Sequence, residues 1–403
     1  MTRILFCGDL AGTGFGTVTQ DLGRALIETD DVRFLSLNEL PGLLEEPFAS
    51  RTMLIGNPDG YLGGLKRDGE RVLSAFTGWE DGWAPEAIIV LGDFAAVRLL
   101  PQLHPTLTEV LARIPTYHYC PIEGVGLPPS WANLWKIIRP VAMSAFGARE
   151  IAKVTGSLPP VVYHGVNTDA FYPVSPAHPI RVGDLVMRTR RDCRKQLGLD
   201  QSMTWLFRAD RLMPRKNYAP LLRSIAPVLR RNPKVGLLIH CRTQDEGGNL
   251  HDQRSKMPPD LRERVVFSGF HDTYGGAPRG LLAALYNAAD IYVSTSAEGF
   301  GLTIAESLAC GVPAVGLDYS AVPEVIGPAG ITVPAFPIDN PYDHFWATPD
   351  EVKFGQAVEH LVRNVNERKV LGAKGPQHIR SSFTWTAAAQ QFSTLVSREA
   401  VPA

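Results

Sequence analysis

Short apolar runs and amphipathic segments alternate along almost the whole chain. Residues 87–91 read Ala-Ile-Ile-Val-Leu without a polar break, which is typical of a strand buried on both faces of a parallel sheet. Helices are predicted at 107–113, 145–155, 188–197 and 281–288. Further strands are predicted at 3–7, 32–37, 52–55, 114–119, 141–144, 205–208, 235–240, 265–268, 291–293 and 312–317. This alternation predicts an α/β protein, while residues 57–85 carry no clear period and stay unassigned.

A chain of this length is expected to fold as more than one domain. Its 403 residues exceed one ordinary hydrophobic core, so two domains of roughly 150–200 residues each are expected. Prolines cluster at positions 173, 176 and 179, which is typical of a linker. Composition therefore favours a boundary near residue 173.

Composition indicates a soluble globular protein. Hydrophobic residues make up 45% and charged residues 20%, and no apolar run reaches the roughly 18 residues that a membrane span needs. The first residues lead straight into a strand and lack the layout of a signal peptide. Five scattered cysteines without a C-x-x-C pair argue against a disulfide framework and a structural zinc site. We expect a cytoplasmic protein without a metal-ligand cluster.

Positive charge is concentrated in the middle of the chain. The net charge is −1, yet residues 181–234 contain fourteen Lys and Arg against four Asp, a local balance of +10. Such a stretch attracts anions, which here could be a diphosphate, a nucleic acid or an anionic membrane surface. Solvated helix faces explain part of this excess.

Residues 298–306 carry the chemically most informative pattern, Glu-Gly-Phe-Gly-Leu-Thr-Ile-Ala-Glu. They follow the apolar strand 291–293 and lead into a predicted helix that ends before Gly311 and Pro313. A glycine turn before a helix exposes backbone N–H groups at a positive helix N-terminus, which suits a phosphate or sugar oxygen. Glu298 at the turn and Glu306 about two helical turns later could contact different parts of one elongated ligand. Two solvated glutamates are the alternative explanation.

Two further sites are indicated in the first half of the chain. A glycine-rich loop with Gly14 and Gly16 joins the first strand to a helix near Val18, as in a Rossmann-like opening, but it is not G-x-G-x-x-G. A dinucleotide site is therefore poorly supported, and a tight turn without a ligand is the alternative. His118 ends a predicted strand, where open α/β sheets place ligands, although it could equally be a hydrogen-bonded rim residue.

The E-x7-E pattern of Glu298 and Glu306, with Gly299, Phe300 and Gly301 between them, resembles that of retaining glycosyltransferases with two Rossmann-like domains (GT-B fold), in particular family 4. The resemblance implies that Glu298 contacts the hydroxyls of the donor sugar and that Glu306 binds the nucleotide ribose. The helix start from Gly299 to Leu302 would bind phosphate or sugar oxygens.

The same resemblance assigns further residues of the second half. Arg211 and Lys216 match the spacing of the two cations that grip the donor diphosphate in this family. The usual glycine before the arginine is Asp210 here, which could draw Arg211 into a local ion pair. Gly269 and Phe270 resemble the strand end that binds the nucleotide base. The Gly-Gly pair that commonly precedes Pro-Glu at a later turn is absent before Pro323 and Glu324, which leaves donor sugar selection open.

In the first half, the resemblance places the loop of Gly14 and Gly16 near the acceptor and the donor phosphates, and His118 beside the reacting sugar. Glu123, which follows His118, is a candidate contact to the acceptor. The implied fold is two Rossmann-like domains that face each other across a cleft, with a C-terminal helix that crosses back. The predicted first domain comprises residues 1–170 together with 386–403, and the donor domain residues 171–385.

The predicted activity is transfer of a hexose from a nucleoside-diphosphate sugar, with UDP or GDP as the expected nucleotide, to a hydroxyl acceptor. That acceptor could be a glycan, a lipid, a small molecule or a modified nucleobase in DNA. The family mechanism implies front-face attack with retention and requires neither a protein nucleophile nor a metal. Two alternatives are a GT-B sugar-nucleotide epimerase or phosphorylase, and a non-catalytic module that binds nucleotide sugars or nucleic acid. The sequence does not indicate an oligomeric state.

Overall fold

The computed structural model describes residues 1–36, 44–55, 69–269, 277–339 and 344–398. Its contacts divide the chain into two compact units. The first unit comprises residues 1–122, 127–165 and 384–403, and the second comprises residues 123–126 and 166–383.

The first unit is built on a six-stranded parallel sheet. Its strands are β1 Arg3–Gly8, β2 Asp31–Ser36, β3 Thr52–Leu54, β4 Ala87–Leu91, β5 Thr116–Cys120 and β6 Arg139–Ala142. They are arranged in the order β3-β2-β1-β4-β5-β6. Every neighbouring pair is parallel, which accounts for the apolar run of β4: all five of its residues are buried.

Helices connect and cover these strands. The described α-helices are Gly14–Ile27, Gly69–Thr77, Phe94–Val97, Leu107–Arg113, Trp131–Leu134, Ala145–Thr155 and Trp385–Ser397, with short 3-10 helices at Ala49–Arg51 and Leu100–Gln102. The last α-helix returns to the first unit. There the ring of Phe392 lies 5.0 Å from that of Tyr119, and the hydroxyl of Tyr117 donates to the carbonyl of Leu395 at 3.4 Å.

The second unit repeats the architecture. Its strands are β7 Ile180–Val182, β8 Leu185–Met187, β9 Thr204–Ala209, β10 Val235–His240, β11 Gln244–Asp245, β12 Gly248–Asn249, β13 Val265–Phe267, β14 Ile291–Val293, β15 Ala314–Leu317, β16 Gly330–Val333, β17 Ala335–Ile338 and β18 Trp346–Pro349. Six of them form a parallel sheet in the order β13-β10-β9-β14-β15-β16. The other six pair as three antiparallel ribbons, β7 with β8, β11 with β12 and β17 with β18.

The described α-helices of the second unit are Arg190–Gln196, Tyr218–Arg231, Leu250–Ser255, Pro259–Arg262, Arg279–Ala288, Leu302–Ala309, Val322–Ile326, Glu351–Arg363 and Val365–Ser382. Short 3-10 helices lie at Pro214–Lys216 and Gly327–Ala329. Two doubly wound parallel sheets confirm the predicted fold class. In the part of the chain that the structure describes, no helix combines the length and apolar character needed to cross a membrane.

Some element ends differ from the sequence prediction because side chains cap helices. The first helix starts at Gly14 rather than near Val18, since the hydroxyl of Thr13 accepts a hydrogen bond from the N–H of Gly16. The strand predicted at 141–144 lies at 139–142, because Ser144 leaves the strand to cap the following helix. The helix Gly69–Thr77 lies inside the stretch that the sequence left unassigned.

Candidate active site

The candidate site is built from loops at the carboxyl ends of neighbouring strands of the second unit. Residues 210–217 follow β9, residues 294–301 follow β14, and residues 318–321 follow β15. Because β9, β14 and β15 are adjacent and parallel, these loops emerge at the same edge of the sheet, where open α/β sheets bind ligands. Residues more than 80 positions apart in sequence therefore meet.

Lys216 and Glu298 lie in direct contact at this edge. The Nζ atom of Lys216 is 2.6 Å from Oε1 of Glu298 and 2.6 Å from Oδ1 of Asp210. All three side chains are buried. The lysine ammonium thus lies between two carboxylates, and the structure brings together two of the predicted site residues.

Arg215 is a second cation of the site and was not singled out from the sequence. Its Nη1 atom donates to Oε2 of Glu298 at 3.2 Å and to the carbonyl of Ala297 at 3.1 Å. Its Nη2 atom lies 3.5 Å from Oε1 of Glu123, a residue that packs with the second unit. Glu123, predicted as an acceptor contact, is therefore an ion-pair partner of Arg215 in this structure.

A third cation lies beneath the site. Arg208 on β9 has no exposed surface, and its Nη2 atom lies 2.8 Å from Oδ2 of Asp210. Its guanidinium also donates to the hydroxyls of Ser294 at 2.6 Å and Ser296 at 2.9 Å. Burial is the largest single effect on Arg208 and lowers its pKa, but the attraction of Asp210, Tyr292, Tyr218 and Glu298 together outweighs burial, so the pKa is raised.

These contacts form one continuous series of alternating charges, called the ion-pair chain below. Its members in order are Arg208, Asp210, Lys216, Glu298, Arg215 and Glu123. Three cations and three carboxylates give it no net charge. A buried series of this kind is stable only when each charge faces an opposite one, and here each does.

The carboxylate of Glu298 is held in its ionised form. Burial alone would raise its pKa, but the charges of Lys216 and Arg215, together with hydrogen bonds from Lys216 and Ser296, lower the pKa to about 2. Glu298 can therefore accept hydrogen bonds at neutral pH, and it cannot serve as a general acid there.

The backbone on both sides of the Lys216–Glu298 contact is tied together. The hydroxyl of Thr295 donates to the carbonyl of Lys216 at 3.1 Å, and the side-chain amide of Asn217 donates to the carbonyl of Thr295 at 2.7 Å. Asn217 adopts a left-handed conformation with φ of 53°, which asparagine tolerates better than most residues. The two loops thus hold each other in register.

The glycine turn before the helix Leu302–Ala309 has the geometry that the sequence predicted. Gly301 is the N-cap residue and has φ of 105°, a conformation that favours glycine. Because Gly301 has no side chain, nothing from the cap occupies the first amides of the helix. In the second helical turn, Oε2 of Glu306 accepts a hydrogen bond from the hydroxyl of Tyr286 at 2.7 Å.

Three residues around this turn differ in exposure. Gly299 is buried, while Leu302 is partly exposed. The side chain of Phe300 belongs to the core, since its ring lies 5.2 Å from that of Phe383 and little of it is exposed. The predicted donor contact of Phe300 is therefore restricted to its backbone.

Arg211 lies apart from Lys216 and Glu298. Its guanidinium is largely exposed and binds the carboxylates of Asp245, at 2.8 Å, and Glu246, at 2.8 Å, beyond the end of β10. The prediction of an ion pair between Asp210 and Arg211 is wrong, because Asp210 pairs with Lys216 and Arg208 instead. Arg211 remains at the same edge of the sheet, since β10 neighbours β9.

His118 in the first unit is enclosed by its own unit. It has no exposed surface, its Nε2 atom lies 2.8 Å from the carbonyl of Gly92, and its Nδ1 atom accepts a hydrogen bond from Trp135 at 3.2 Å. Burial lowers its pKa to about 4, against a smaller opposing effect of Gly92, so the ring is neutral at pH 7. In this conformation both ring nitrogens are used within the protein, which contradicts a position at an open rim.

The glycine-rich loop of the first unit is organised by its own side chains. Thr13 accepts from the N–H of Gly16 at 2.9 Å and donates to the buried carboxylate of Asp9. A Cβ atom at Gly16 would lie 1.7 Å from the carbonyl oxygen of Ala11, so close packing requires this glycine. Gly14 has open space around it and remains available to a ligand.

The predicted base-binding strand end is described only in part. Gly269 has φ of 74° and open space beside it. Phe270 lies outside the described residues. The described residues contain no group of three or more His, Cys, Asp or Glu arranged to hold a metal ion.

The positive stretch 181–234 is partly neutralised in space. Arg194 lies 2.6 Å from Asp290, Arg223 lies 2.6 Å from Glu351, and Arg231 pairs with Glu359. These acids lie outside the stretch in sequence. The local balance of +10 therefore overstates the positive charge of this surface, and it offers less support for a nucleic-acid partner than the sequence indicated.

Part of the second unit is similar to a known family. Residues 204–364 match the family model of the glycosyl transferases group 1. The matched region includes the predicted site residues Arg211, Lys216, Glu298 and Glu306.

Two curated relatives are glycosyltransferases by name. The GDP-mannose-dependent monoacylated alpha-(1-6)-phosphatidylinositol monomannoside mannosyltransferase of Corynebacterium glutamicum is 24% identical over 288 residues, which cover 68% of this chain and 66% of the relative. The D-inositol 3-phosphate glycosyltransferase of Thermomonospora curvata is 33% identical over 184 residues, which cover 44% of this chain and 40% of the relative. The chain thus spans less than two thirds of the length of either relative.

Solved structures resemble the chain over its whole length. Sucrose-phosphate synthase of Thermosynechococcus elongatus superposes with a TM-score of 0.72 at 19% identity and 99% coverage of both chains. Anabaena Alr3699/HepE, in complex with UDP and glucose, gives a TM-score of 0.71 at 18% identity, with 99% of this chain and 100% of that chain covered. The chain has the GT-B fold, and these matches confirm the predicted resemblance to GT-B glycosyltransferases.

Proposed function

We propose that the protein is a retaining glycosyltransferase that moves a hexose from a nucleoside-diphosphate sugar to a hydroxyl acceptor. The contact of Lys216 with Glu298, at 2.6 Å, carries the proposal. It places a fixed cation beside an ionised carboxylate at the sheet edge where ligands bind, within the region that matches the family model.

In this mechanism the cations of the site balance the charge that develops on the departing diphosphate. The acceptor oxygen attacks the anomeric carbon, the bond from that carbon to the phosphate oxygen breaks, and the acceptor proton passes to the leaving phosphate on the same face. Lys216 and Arg215 favour this step because the negative charge on the leaving group grows toward the transition state.

Lys216 has one more N–H donor than its two carboxylate partners use. An ammonium has three N–H donors, and two of those of Lys216 face Asp210 and Glu298. The third can bind the donor. Since Glu298 is ionised, its oxygens can accept hydrogen bonds from hexose hydroxyls, while Glu306 holds the ribose and the helix start at Leu302 binds phosphate oxygens.

The donor nucleotide is proposed to be UDP or GDP. One relative is named as GDP-mannose-dependent, and one similar structure contains UDP and glucose. For the acceptor we propose a phosphorylated polyol as the first class to test, because one relative is named for inositol 3-phosphate. We propose that N–H donors of Lys216 and Arg215 contact the diphosphate directly, so we expect transfer to persist in EDTA.

Nucleotide binding tests the proposal first. Thermal unfolding is followed with millimolar UDP, GDP, ADP, dTDP and their common sugar conjugates. A ligand at about 100 times its Kd stabilises the native state by about 2.7 kcal/mol, which raises Tm by several degrees. No shift with any nucleotide would contradict a working donor site.

Transfer is then measured by mass spectrometry with the donor so identified and with inositol phosphate among the acceptors. Lys216→Ala should lower kcat about 100- to 1,000-fold, as expected when one fixed positive donor of a developing anion is removed. Lys153→Ala is the matched control, because Lys153 also pairs with a glutamate, Glu150, but lies in the first unit. Equal activity of the two variants would contradict the assignment of Lys216.

A further inference from the structure

Strained backbone occurs at the candidate site. Among the described residues, φ is positive at two non-glycine positions, Asn217 at 53° and Ser320 at 56°. Both lie in loops of the site. Asparagine is enriched in this conformation and its amide ties the two loops together, whereas serine has no comparable preference for it. The conformation of Ser320 therefore needs a compensating contact.

That contact is with the backbone of Glu298. The buried hydroxyl of Ser320 accepts a hydrogen bond from the N–H of Glu298 at 2.9 Å and donates its own proton to the carbonyl of Tyr319 at 2.7 Å. The next residue, Ala321, donates its N–H to the carbonyl of Glu298 at 3.2 Å. Both backbone groups of Glu298 are thus held by one turn.

The side chain of Glu298 is held as well, by Lys216 and Arg215. If only the side-chain oxygens of Glu298 were held, its backbone and the surrounding loop could still move. The turn at 320–321 removes that freedom, because β15, which precedes it, is hydrogen-bonded to β14, which precedes Glu298. The sheet therefore fixes the position of the Glu298 carboxylate through this turn.

We propose that Ser320 is a positioning residue that fixes the backbone of Glu298 for sugar transfer, an inference that rests on the proposed function. Glycine adopts a positive φ without strain, but it offers no hydroxyl to the N–H of Glu298. Serine thus makes this turn less stable than glycine would, but it provides a hydrogen bond to the N–H of Glu298, the residue proposed to orient the hexose.

Ser320→Gly separates the two effects. Glycine relieves the strained conformation, so Tm should stay unchanged or rise, while kcat should fall about tenfold because one hydrogen bond that positions Glu298 is lost. Since Lys216 and Arg215 remain, the KM for the donor should change less than about threefold. Ser320→Ala keeps the strain and loses the hydroxyl, so it should lower both Tm and kcat.

Ser157→Gly serves as the control for the substitution itself, because Ser157 is an exposed loop residue of the first unit. Release of nucleoside diphosphate by the unmodified chain is measured first, and its absence would overturn the proposed function and the positioning role together. If the unmodified chain is active, an unchanged kcat in Ser320→Gly overturns the positioning role alone. A fall in Tm of Ser320→Gly that matches its loss of activity also overturns it, because the hydroxyl would then act only through stability.

Discussion

Replacing Asp210 with alanine should destabilise the second unit strongly, because this carboxylate faces two buried cations. Arg208 has no exposed surface, and its Nη2 atom lies 2.8 Å from Asp210. At that distance, with an effective dielectric constant of about 20, the attraction between two unit charges is about 6 kcal/mol. Much of it offsets the desolvation of both groups, but removal of one partner leaves the other charge uncompensated. The free energy of unfolding should therefore fall by about 3–5 kcal/mol.

Urea-induced unfolding of a double-mutant cycle measures this interaction. Arg208→Met alone should cost less than Asp210→Ala, because Asp210 retains Lys216 as a partner. The double variant should lose at least about 1 kcal/mol less than the two single variants together, since neither charge is then left unpaired. Glu351→Ala is the control, as it breaks the solvent-exposed pair with Arg223 and should cost no more than about 1 kcal/mol.

Two results would refute this reasoning. One is a loss below about 1 kcal/mol for Asp210→Ala, which would mean that the charge of Arg208 does not depend on this carboxylate. The other is strict additivity of the single variants, which would mean that the two residues stabilise the unit independently.

Three other variants test the site. Folding lowers the pKa of Glu298 from 4.5 to about 2. The ionised carboxylate therefore contributes fully to the free energy of unfolding above pH 4.5, and this contribution is lost as the pH falls through about 2. Glu298→Gln should lower the free energy of unfolding, measured with urea at pH 7, by about 3 kcal/mol. Below pH 4.5 the variant and the unmodified chain should become more similar in stability, and a difference that does not change with pH would contradict this prediction. Gly301→Ala should cost about 1–3 kcal/mol because φ is 105°, and an unchanged Tm would be inconsistent with this turn. Arg211→Ala should change Tm little, because Arg211 is largely exposed where it pairs with Asp245. It should weaken nucleotide binding at least about tenfold by calorimetry, because the sequence resemblance assigns Arg211 to the donor diphosphate.

Much of the fold could be predicted because its signals are local in sequence. A strand buried on both faces must be a continuous apolar run, and residues 87–91 were assigned with the bounds that the structure has. The helix Gly69–Thr77 was not predicted, because it is short and buries only Val72, Ala75 and Phe76 within a stretch rich in glycine and tryptophan. Strand ends were less certain, since capping residues such as Ser144 can belong to either element.

The candidate site was predictable to the extent that its motifs are local. Glu298 and Lys216 each carry a recognisable pattern, and the adjacency of β9 and β14 brings them together. The partners of Arg215 were not predictable, because Glu298 lies 83 residues further along and its approach depends on how two loops pack. The burial of His118 was not predictable for a similar reason. The indole that donates to it belongs to Trp135, in a segment whose position the sequence does not indicate.

The return of the last helix to the first unit has a consequence for biosynthesis. The first unit is discontinuous, and its core includes Phe392 against Tyr119, so it lacks a packing element until the helix Trp385–Ser397 has been made. The second unit is nearly continuous from Val166 to Phe383 and can complete its sheet earlier. During synthesis the N-terminal domain usually folds first, but here the first unit can finish folding only after the second unit has been made. The second unit is therefore completed before the first.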